Sequence, residues 1–373
     1  MRGGAPPRIY VSAGEPSGDA HAAPVVASLR RRFPGVVIDA FGGPLMERAG
    51  ARVLDRMEAL SVVGLVEALG KIPAHYRLLA RVRDAFRAGR YDLAILVDYP
   101  GYHLRAAAAA AGAGVPVLYY IAPQLWAWGA GRVRKLARSV RRLAVILPFE
   151  EQFFRERGVP ATFVGHPLCD RPPPLPKAEA RQVLGLAPGR PTLGLFPGSR
   201  ALEVERLWPR FRDAAALVTA ARPEVQVITA AAPGAAYPAP GTTRIYTTDP
   251  ALVFAAADAA LCKSGTTTLE AAIADAPMVI AYRLNALSGF IARRLLRVPW
   301  VGLVNLVAER AVAPEYLQGD VRAATLARDV LPLLDARSPE ARGQREGLAL
   351  VRQRLGPPGA AERVTALAGE LLA

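Results

Sequence analysis

Short apolar runs rich in β-branched residues alternate along this chain with alanine- and arginine-rich segments of helical period. Strands that are buried on both faces have this composition, and helices between them supply the crossovers of a parallel sheet. The alternation therefore predicts doubly wound α/β domains. The first series of predicted strands comprises Arg8–Gly14, Val36–Gly43, Asp92–Asp98, Val115–Ala122, Leu143–Pro148 and Thr162–Gly165. The second series comprises Thr192–Pro197, Val225–Ala230, Thr243–Thr247, Ala259–Lys263 and Met278–Tyr282.

A proline-rich segment at residues 171–191 separates the two series and is typical of a semi-rigid linker. We predict an N-terminal Rossmann-like lobe at residues 1–170 and a second Rossmann-like lobe at residues 192–345. Residues 346–373 are expected to form a C-terminal amphipathic helix that packs on either lobe. Open α/β sheets bind ligands beyond the carboxyl ends of their strands, so we expect a ligand cleft between the strand ends of the two lobes.

The formal net charge of +15 favours an anionic partner, which could be nucleic acid, an anionic membrane or a phosphate-bearing substrate. The sequence lacks the interleaved aromatic and basic residues of a base-stacking surface, which makes nucleic acid the weakest of the three readings. The two cysteines cannot build a disulfide framework, so a reducing, cytoplasmic setting is expected. No signal peptide is recognised at the start of the sequence.

The most apolar long stretch, Leu104–Trp128, is interrupted by Gly112, Gly114, Pro116 and Pro123. A spanning helix needs about 20 uninterrupted apolar residues, so no transmembrane helix is predicted. The segment Val62–Ile72 is densely apolar and is followed by several arginines, which favours a membrane-surface element. A buried core helix is the alternative interpretation.

The first predicted strand leads into a turn of small residues before a helix, where a helix N-terminus attracts anions. We predict binding roles for Gly14, Glu15, Ser17 and Gly18 in this turn. The alternative is an ordinary tight connection between strand and helix.

Asp98 ends an apolar strand and is a candidate general base, since a carboxylate at a strand end faces the ligand. The alternative is a turn-forming aspartate before Pro100. His103, five residues later, is a weaker candidate for the same role.

The second lobe begins similarly, with Ser199 and Arg200 after a strand and a glycine. Arg200 is predicted to bind a phosphate, or else to form a surface ion pair with Glu203 or Glu205, which contributes about 0–1 kcal/mol. A second candidate turn after a strand contains Ser264, Gly265, Thr266 and Thr267, with Glu270 one helical turn later. Ser264 or Thr266 is expected to cap the following helix, whose N-terminus suits a diphosphate, and Glu270 is expected to accept hydrogen bonds from ribose hydroxyls.

Two tryptophans, Trp126 and Trp128, follow another strand and are best explained by core packing. No metal-binding pattern is recognised, so we predict neither a metal nor another cofactor, and helix N-termini and arginines are expected to balance the diphosphate charge.

Together these segments resemble the lipid-A-disaccharide synthase family over nearly the whole chain. In the first lobe they are Ser12–Asp19 with His21, Gly42–Pro44, Val63–Leu69, Pro123–Trp128, Leu147–Glu150, and Gly165–Leu168 with Asp170. In the second lobe they are Pro197–Arg200 with Glu203, Ser264–Glu270, Asn305–Ala308 and Pro314–Gln318.

The resemblance implies an inverting, metal-independent glycosyltransferase with the GT-B fold. Such an enzyme transfers diacylglucosamine from UDP-2,3-diacylglucosamine to 2,3-diacylglucosamine 1-phosphate. Asp98 matches the family's proposed base, and Arg200, Glu270, Asn305 and Gln318 match donor-site positions. The resemblance further implies a peripheral protein on the cytoplasmic face of the inner membrane, and leaves a homodimer open.

The chain departs from the family pattern at His103, where asparagine is usual, and at Gly129, where arginine is usual. Both positions are expected near the acceptor. Three alternatives remain open at this stage, namely a related lipid glycosyltransferase with another acceptor, a UDP-sugar epimerase, and a non-catalytic RNA-binding protein.

Overall fold

The computed structural model describes residues 5–57, 65–128, 131, 133–247, 249–283 and 299–373, with only the backbone for residues 65–72 and Trp128. The chain divides into two compact units. The first lobe contains Met1–Asp170 together with Gly356–Ala373, and the second lobe contains Arg171–Leu355.

The first lobe is built on a seven-stranded parallel sheet with the order β3-β2-β1-β4-β5-β6-β7. Its strands are β1 Arg8–Ala13, β2 Val37–Gly42, β3 Arg52–Arg56, β4 Leu93–Val97, β5 Val117–Tyr120, β6 Arg142–Val145 and β7 Ala161–Phe163. Its helices are α1 Pro16–Arg32, α2 Pro44–Arg48, α3 Leu65–Arg87, α4 Pro100–Gly112, α5 Leu125–Trp128, α6 Val133–Ser139, α7 Pro148–Arg155 and the C-terminal α15 Ala360–Leu372.

The second lobe is built on a six-stranded parallel sheet with the order β10-β9-β8-β11-β12-β13. Its strands are β8 Thr192–Phe196, β9 Gln226–Ala230, β10 Arg244–Tyr246, β11 Ala259–Lys263, β12 Met278–Tyr282 and β13 Glu315–Leu317. Its helices are α8 Lys177–Val183, α9 Ala201–Ala221, α10 Pro250–Ala256, α11 Thr266–Ile273, α12 Leu303–Ala308, α13 Ala323–Val330 and α14 Pro339–Arg354.

Each sheet is buried between helices because its strands are apolar on both faces. In the first lobe one face packs against α1 and α15, through residues such as Val25 and Val364, and the other packs against α3 and α4. In the second lobe Trp208 and Phe211 of α9 are fully buried against the sheet. The predicted parallel α/β architecture is confirmed, and the two doubly wound lobes are those of a GT-B fold.

Many helices begin at a proline, which fixes a helical φ and lacks the amide hydrogen that the first turn could not use. This is the case for α1, α2, α4, α7, α10 and α14. Side-chain caps are added in two of them, where Asp249 accepts from the Ala251 amide and Ser338 accepts from the Ala341 amide. These local signals fix where the connections after the strands become helical.

The strand order reverses at one point in each sheet, between β1 and β4 in the first lobe and between β8 and β11 in the second. The connections after these strands run in opposite directions and leave a crevice, which is where open α/β sheets bind ligands. The candidate turns after β1, β4, β8 and β11 therefore lie at the switch points of the two sheets.

Two edge strands were not predicted from the sequence. In β3 the residues alternate between exposed and half-buried, and β13 has only three residues, so neither shows the apolar run of a central strand.

The C-terminal region also differs from the expected single helix, because α14 ends before a Gly356-Pro357-Pro358-Gly359 break and α15 then packs in the first lobe. The proline-rich segment 171–191 contains α8, whose Lys177 and Arg181 pair with Asp258 in the second lobe.

Candidate active site

The turn after β4 holds two consecutive residues in the left-handed region, Asp98 at φ 51° and Tyr99 at φ 50°. This conformation costs roughly 1–2 kcal/mol for an ordinary side chain, and aspartate tolerates it better than tyrosine does. A third case, Ile121 at φ 64°, follows the neighbouring strand β5. Backbone strain of this kind persists only where the surrounding structure enforces it, and it tends to gather at functional sites.

Buried side chains hold the Asp98 backbone in this strained turn. The carbonyl oxygen of Asp98 accepts one hydrogen bond from His103 Nδ1 at 2.6 Å and a second from the Tyr119 hydroxyl at 2.6 Å. The Asp98 amide donates to the Tyr120 carbonyl of β5 at 2.9 Å. The backbone that carries the side chain of the half-buried Asp98 is therefore held in place.

His103 has both ring nitrogens engaged. Because a carbonyl only accepts, Nδ1 carries the proton, and Nε2 accepts from the Ser12 hydroxyl at 2.7 Å. His103 is fully buried, and burial lowers its pKa from 6.5 to about 4. The suggestion that His103 could replace Asp98 as the base is thus wrong on structural grounds, since its lone pair is occupied and it has no route to solvent.

The turn after β1 lies against the same strained turn. A Cβ on Gly14 would meet the Tyr99 ring at 2.2 Å, so only glycine lets this ring pack there. Gly18 lies close to the Val97 carbonyl of β4, whereas Ser17 is exposed and Glu15, half-buried, precedes α1. The four predicted residues of this turn and Asp98 are therefore brought together at the switch point of the first sheet.

Asp19, which closes this motif, has a structural role. Its buried carboxylate accepts hydrogen bonds from the amides of Gly43, Leu45 and Met46 at 2.9–3.1 Å. Three amide bonds to one carboxylate tie α1 to the start of α2. The acid therefore orients the turn rather than facing a ligand.

Glu150 is a buried acid near Asp98 that the sequence reasoning did not single out. Its carboxylate accepts from Trp126 Nε1 at 2.9 Å and from the Leu147 amide at 3.1 Å. Burial raises its pKa to about 7, the bonds from Trp126 and Leu147 lower it in part, and the charge of Asp98 raises it further. The sequence feature that could have indicated Glu150 was the Leu147–Glu150 segment of the family resemblance.

Trp126 itself is buried against Phe149, which agrees with the core-packing interpretation, whereas the side chain of Trp128 lies outside the described residues.

In the second lobe, the turn after β8 is open and charged. Gly198 has φ 150°, and the Ser199 amide donates to Glu203 Oε2 at 3.0 Å. Lys263 Nζ lies 2.9 Å from Glu203 Oε1, whereas the nearest Arg200 nitrogen lies 3.8 Å from it. Burial raises the Glu203 pKa, but Lys263, the Ser199 amide and Arg200 together hold it below its ordinary value. Lys263 is thus the main partner of Glu203, and the Arg200 side chain stays 71% exposed at the start of α9.

The turn after β11 brings Gly265, Thr266 and Thr267 to the start of α11. The expected capping by Ser264 or Thr266 is wrong, because the N-cap position is Gly265 at φ 133° and α11 has no side-chain cap. Ser264 is buried and its hydroxyl donates to the Val301 carbonyl at 2.8 Å. The first amides of α11 are therefore not covered by a side chain of this turn, which suits an anion at the helix N-terminus.

A cleft of about 630 Å³ lies within the second lobe at the ends of β8, β9 and β11. Three predicted residues line it, Ser199, Thr267 and Glu270. The remaining wall consists of Phe196, Gly198, Ala230–Ala235, Thr247 and Pro250. Sequence reasoning missed the segment 230–235 because it carries no reactive side chain, although its position directly after β9 would have indicated it.

Glu270 lies at the side of this cleft and pairs with Arg171 at 3.1 Å. Burial raises its pKa, and the Arg171 guanidinium lowers it in part. A carboxylate in this position can accept hydrogen bonds from hydroxyl groups of a bound ligand.

Asn305 is fully buried and makes four hydrogen bonds inside the second lobe. Its oxygen accepts from the Val312 and Ala313 amides, and its nitrogen donates to the Ala313 carbonyl and to Glu315. Glu315 also accepts from the Val301 and Gly302 amides at the start of α12. The Asn305 side chain therefore stabilises the surrounding loop, and a direct contact with the donor would require one of these bonds to break.

Gln318, the other predicted residue of this region, directly follows β13, has φ 53° and is half-buried.

Some predictions fall partly or wholly outside the described residues, namely the apolar segment Val62–Ile72 and Gly129. Within the part of the chain that the structure describes, no group of three or more potential metal ligands occurs. Over the same residues, no helix combines the length and hydropathy that crossing a membrane requires.

Comparison with known proteins assigns the family. The family model described as lipid-A-disaccharide synthetase matches residues 9–357. The lipid-A-disaccharide synthase of Anaeromyxobacter sp. (strain K) is 42% identical over 366 residues, which cover 96% of this chain and 95% of that protein. The lipid-A-disaccharide synthase of Myxococcus xanthus (strain DK1622) is 41% identical and covers 98% of both chains.

Among solved structures, the UDP-GlcNAc 2-epimerase of Neisseria meningitidis bound to UDP-GlcNAc has a TM-score of 0.68, covering 97% of this chain and 100% of that one. Its sequence identity of 9% shows a shared fold only. The family model and the relatives, in contrast, match along nearly the full length of the chain. The chain therefore belongs to the lipid-A-disaccharide synthase family, whose members are glycosyltransferases.

Proposed function

We propose that this protein forms the lipid A disaccharide by transferring diacylglucosamine from UDP-2,3-diacylglucosamine to 2,3-diacylglucosamine 1-phosphate, with release of UDP. The observation that carries the proposal is the family match from residue 9 to residue 357. The two switch-point sites support it, because one presents a carboxylate on a fixed backbone and the other a cleft next to the exposed Arg200 and the start of α11.

In the proposed reaction the acceptor hydroxyl attacks the anomeric carbon of the donor sugar from the face opposite UDP. The carbon–oxygen bond to the diphosphate breaks as the new glycosidic bond forms, so the configuration inverts. Asp98 takes the hydroxyl proton, a contribution of typically 10²–10⁴-fold. The strained backbone at Asp98 and Tyr99, held by His103 and Tyr119, supports this role, because the position from which the carboxylate extends is fixed before substrate binds.

The departing UDP carries the negative charge that forms in the transition state. We assign its diphosphate to Arg200 and the first amides of α11, and its ribose to Glu270. The exposure of Arg200, the uncapped helix start at Gly265 and the cleft lined by Ser199, Thr267 and Glu270 support this assignment. Charge stabilisation at a leaving group acts most strongly where donors are already in place.

We further propose peripheral contact with an anionic membrane from the cytoplasmic side. The net charge of +15 supports it, as do two exposed apolar side chains of the first lobe, Leu54 at 51% and Tyr76 at 54% exposure. Arg77 directly follows Tyr76 on α3 and is also exposed, whereas Arg81, one turn further along, pairs with Asp55. Flotation with phosphatidylglycerol vesicles tests this contact, and a protein that stays with the soluble fraction at physiological salt would contradict it.

A product assay tests the proposed reaction. Purified full-length protein is incubated with the UDP-linked donor and the acylated glucosamine 1-phosphate, and products are identified by mass spectrometry. We expect a disaccharide monophosphate and an equal amount of UDP. No disaccharide with any acylated glucosamine acceptor, or turnover of UDP-N-acetylglucosamine without an acceptor, would contradict the proposal and favour an epimerase.

A further inference from the structure

A groove of about 620 Å³ runs along the first lobe beside the start of α4. It is distinct from the cleft of the second lobe, and its size lies in the usual range of ligand pockets, about 300–1,000 Å³. One wall is apolar and includes Leu104 and Ala108 of α4, with Pro123 and Leu125 after β5.

The polar residues of this groove carry charge of one sign. Arg105 of α4 and Lys135 and Arg138 of α6 line it, and no acid is among the lining residues that the structure describes. Lys135 and Arg138 are exposed, and neither forms an ion pair with any described residue. The Arg105 guanidinium lies over the Tyr76 ring, 5.5 Å from its centroid. Three cations that no carboxylate of the described residues neutralises, next to an apolar wall, fit an anionic ligand with a hydrocarbon part.

The groove begins directly after the turn that holds Asp98 and Tyr99. Pro100 and Gly101, its first lining residues, directly follow Asp98 and Tyr99. The second side begins after β5, the strand whose Tyr120 carbonyl binds the Asp98 amide. A Cβ added to Gly101 would meet no other atom within 4 Å, so the groove is open at the end next to the base.

We propose that this groove is the binding site for the phosphorylated acceptor. Lys135, Arg138 and Arg105 bind its phosphate, and the wall formed by Leu104, Ala108 and Leu125 receives one of its acyl chains. The inference rests on the proposed function and adds the acceptor site to it. A membrane phospholipid offers the same chemistry of a phosphate ester with acyl chains. The closeness of the groove to Asp98 favours the acceptor, because only a substrate has to reach the base.

Charge-removing variants test the phosphate contact. Lys135→Gln and Arg138→Gln, singly and together, are assayed with the acceptor 1-phosphate and with the same acylated sugar lacking phosphate. Loss of one charge-assisted contact corresponds to about a tenfold weaker binding. We expect KM for the phosphorylated acceptor to rise about tenfold in each single variant and further in the double variant. KM for the UDP donor and for the unphosphorylated acceptor should not change. Arg134→Gln, an exposed residue of α6 outside the groove, is the matched control.

A space-filling variant tests the apolar wall. Ala108→Phe places a ring in the groove, whereas Ala111→Phe adds the same ring to an exposed position of α4 that does not line it. We expect Ala108→Phe to raise KM for the acceptor about tenfold or more and Ala111→Phe to behave as wild type. Flotation with phosphatidylglycerol vesicles is measured for every variant and should be unchanged.

The possible results separate the groove from the reaction itself. If wild type makes the disaccharide but the groove variants keep its KM for the acceptor, the inference is overturned and the proposed function stands. The inference also fails if the variants lose vesicle binding and affect both acceptors equally, since the groove then binds membrane phospholipid. If wild type makes no disaccharide, the proposed function fails first.

Discussion

The turn after β4 in the first lobe, which holds the proposed base, and the turns after β8 and β11 in the second lobe, which form the proposed donor site, lie at the switch points of their sheets but are built in opposite ways. At the first, two non-glycine residues are held in left-handed conformations, and the buried His103 and Tyr119 bind the Asp98 carbonyl. In the second lobe, Gly198 after β8 and Gly265 after β11 adopt positive φ without a side-chain penalty, and Arg200 is largely exposed.

The difference follows from the two tasks. A base must point at one hydroxyl group, so its backbone is fixed by buried hydrogen bonds. A site for a charged nucleotide must admit and release its ligand, so small residues line the cleft, and the exposed Arg200 directly follows its lining residue Ser199. The comparison leads us to expect that changes at the first turn affect turnover and that changes at the second affect binding.

Asp98→Asn should separate chemistry from folding and gives the largest expected effect. Asparagine adopts the left-handed region as readily as aspartate does, so the turn should survive. Turnover should fall by about two to four orders of magnitude, because asparagine cannot accept the hydroxyl proton. The measurement is steady-state turnover together with calorimetric UDP titration, in which affinity should be unchanged. Near wild-type turnover would remove Asp98 as the base, and His103 could not replace it because it is buried with both nitrogens engaged.

The buried acid and the buried histidine of the first lobe should show opposite dependences on pH. His103, with its pKa lowered to about 4, loses its contribution to stability as pH falls from 6.5 to 4. Glu150, with its pKa raised to about 7, loses its contribution as pH rises from 4.5 to 7. Each pKa shift corresponds to about 3 kcal/mol in the free energy of unfolding. Between pH 4.5 and 6.5 the contribution of His103 to this free energy rises with pH, whereas that of Glu150 falls.

Glu150→Gln removes the contribution of Glu150 to the pH dependence of the free energy of unfolding. The free energy of unfolding of this variant should rise with pH more steeply than that of wild type, by up to about 3 kcal/mol between pH 4.5 and 6.5. Urea unfolding of the full chain at several pH values measures it. Glu156→Gln, at an exposed position just after α7, is the control. Equal slopes in wild type and Glu150→Gln would show that Glu150 is not protonated in the folded protein near neutral pH.

Arg200→Ala tests the open turn. A hydrogen bond to a charged group contributes about 1.5–3 kcal/mol, so UDP affinity should fall about ten- to a hundredfold. Stability should change little, because the arginine side chain is 71% exposed. Calorimetric titration with UDP measures the affinity, with the exposed Arg210→Ala of the same helix as control. Unchanged affinity would rule out the assigned phosphate contact.

Removal of divalent metal ions with EDTA should leave the activity unchanged. If Arg200 and the α11 amides balance the charge of UDP, activity should be the same with and without EDTA. Activity that EDTA abolishes and magnesium restores would show that a metal carries part of this charge, and the second turn would then be only half of the donor site.

Much of the architecture followed from local sequence patterns. Eleven predicted strands are present, and nine of them are central strands whose residues are nearly all buried. The two strands that were missed, β3 and β13, lie at sheet edges, where a strand has fewer neighbours and needs less apolar surface. The family resemblance rested on motifs quoted from the sequence, and the full-length match confirms it.

The tertiary structure decided what the individual motif residues do. Ser12 is far from His103 in sequence, and only the β1–β4 pairing brings its hydroxyl to Nε2 of His103, which together with the local bond from Nδ1 to the Asp98 carbonyl turns His103 from a candidate base into a buried support of the turn. Asn305 likewise uses both atoms of its amide group in internal hydrogen bonds, and Asp19 accepts three bonds from backbone amides. A sequence shows which residue types are present near strand ends, because periodicity is local. Whether a side chain faces a ligand or a backbone amide depends on which strands are neighbours, and sheet order is a property of the folded chain alone.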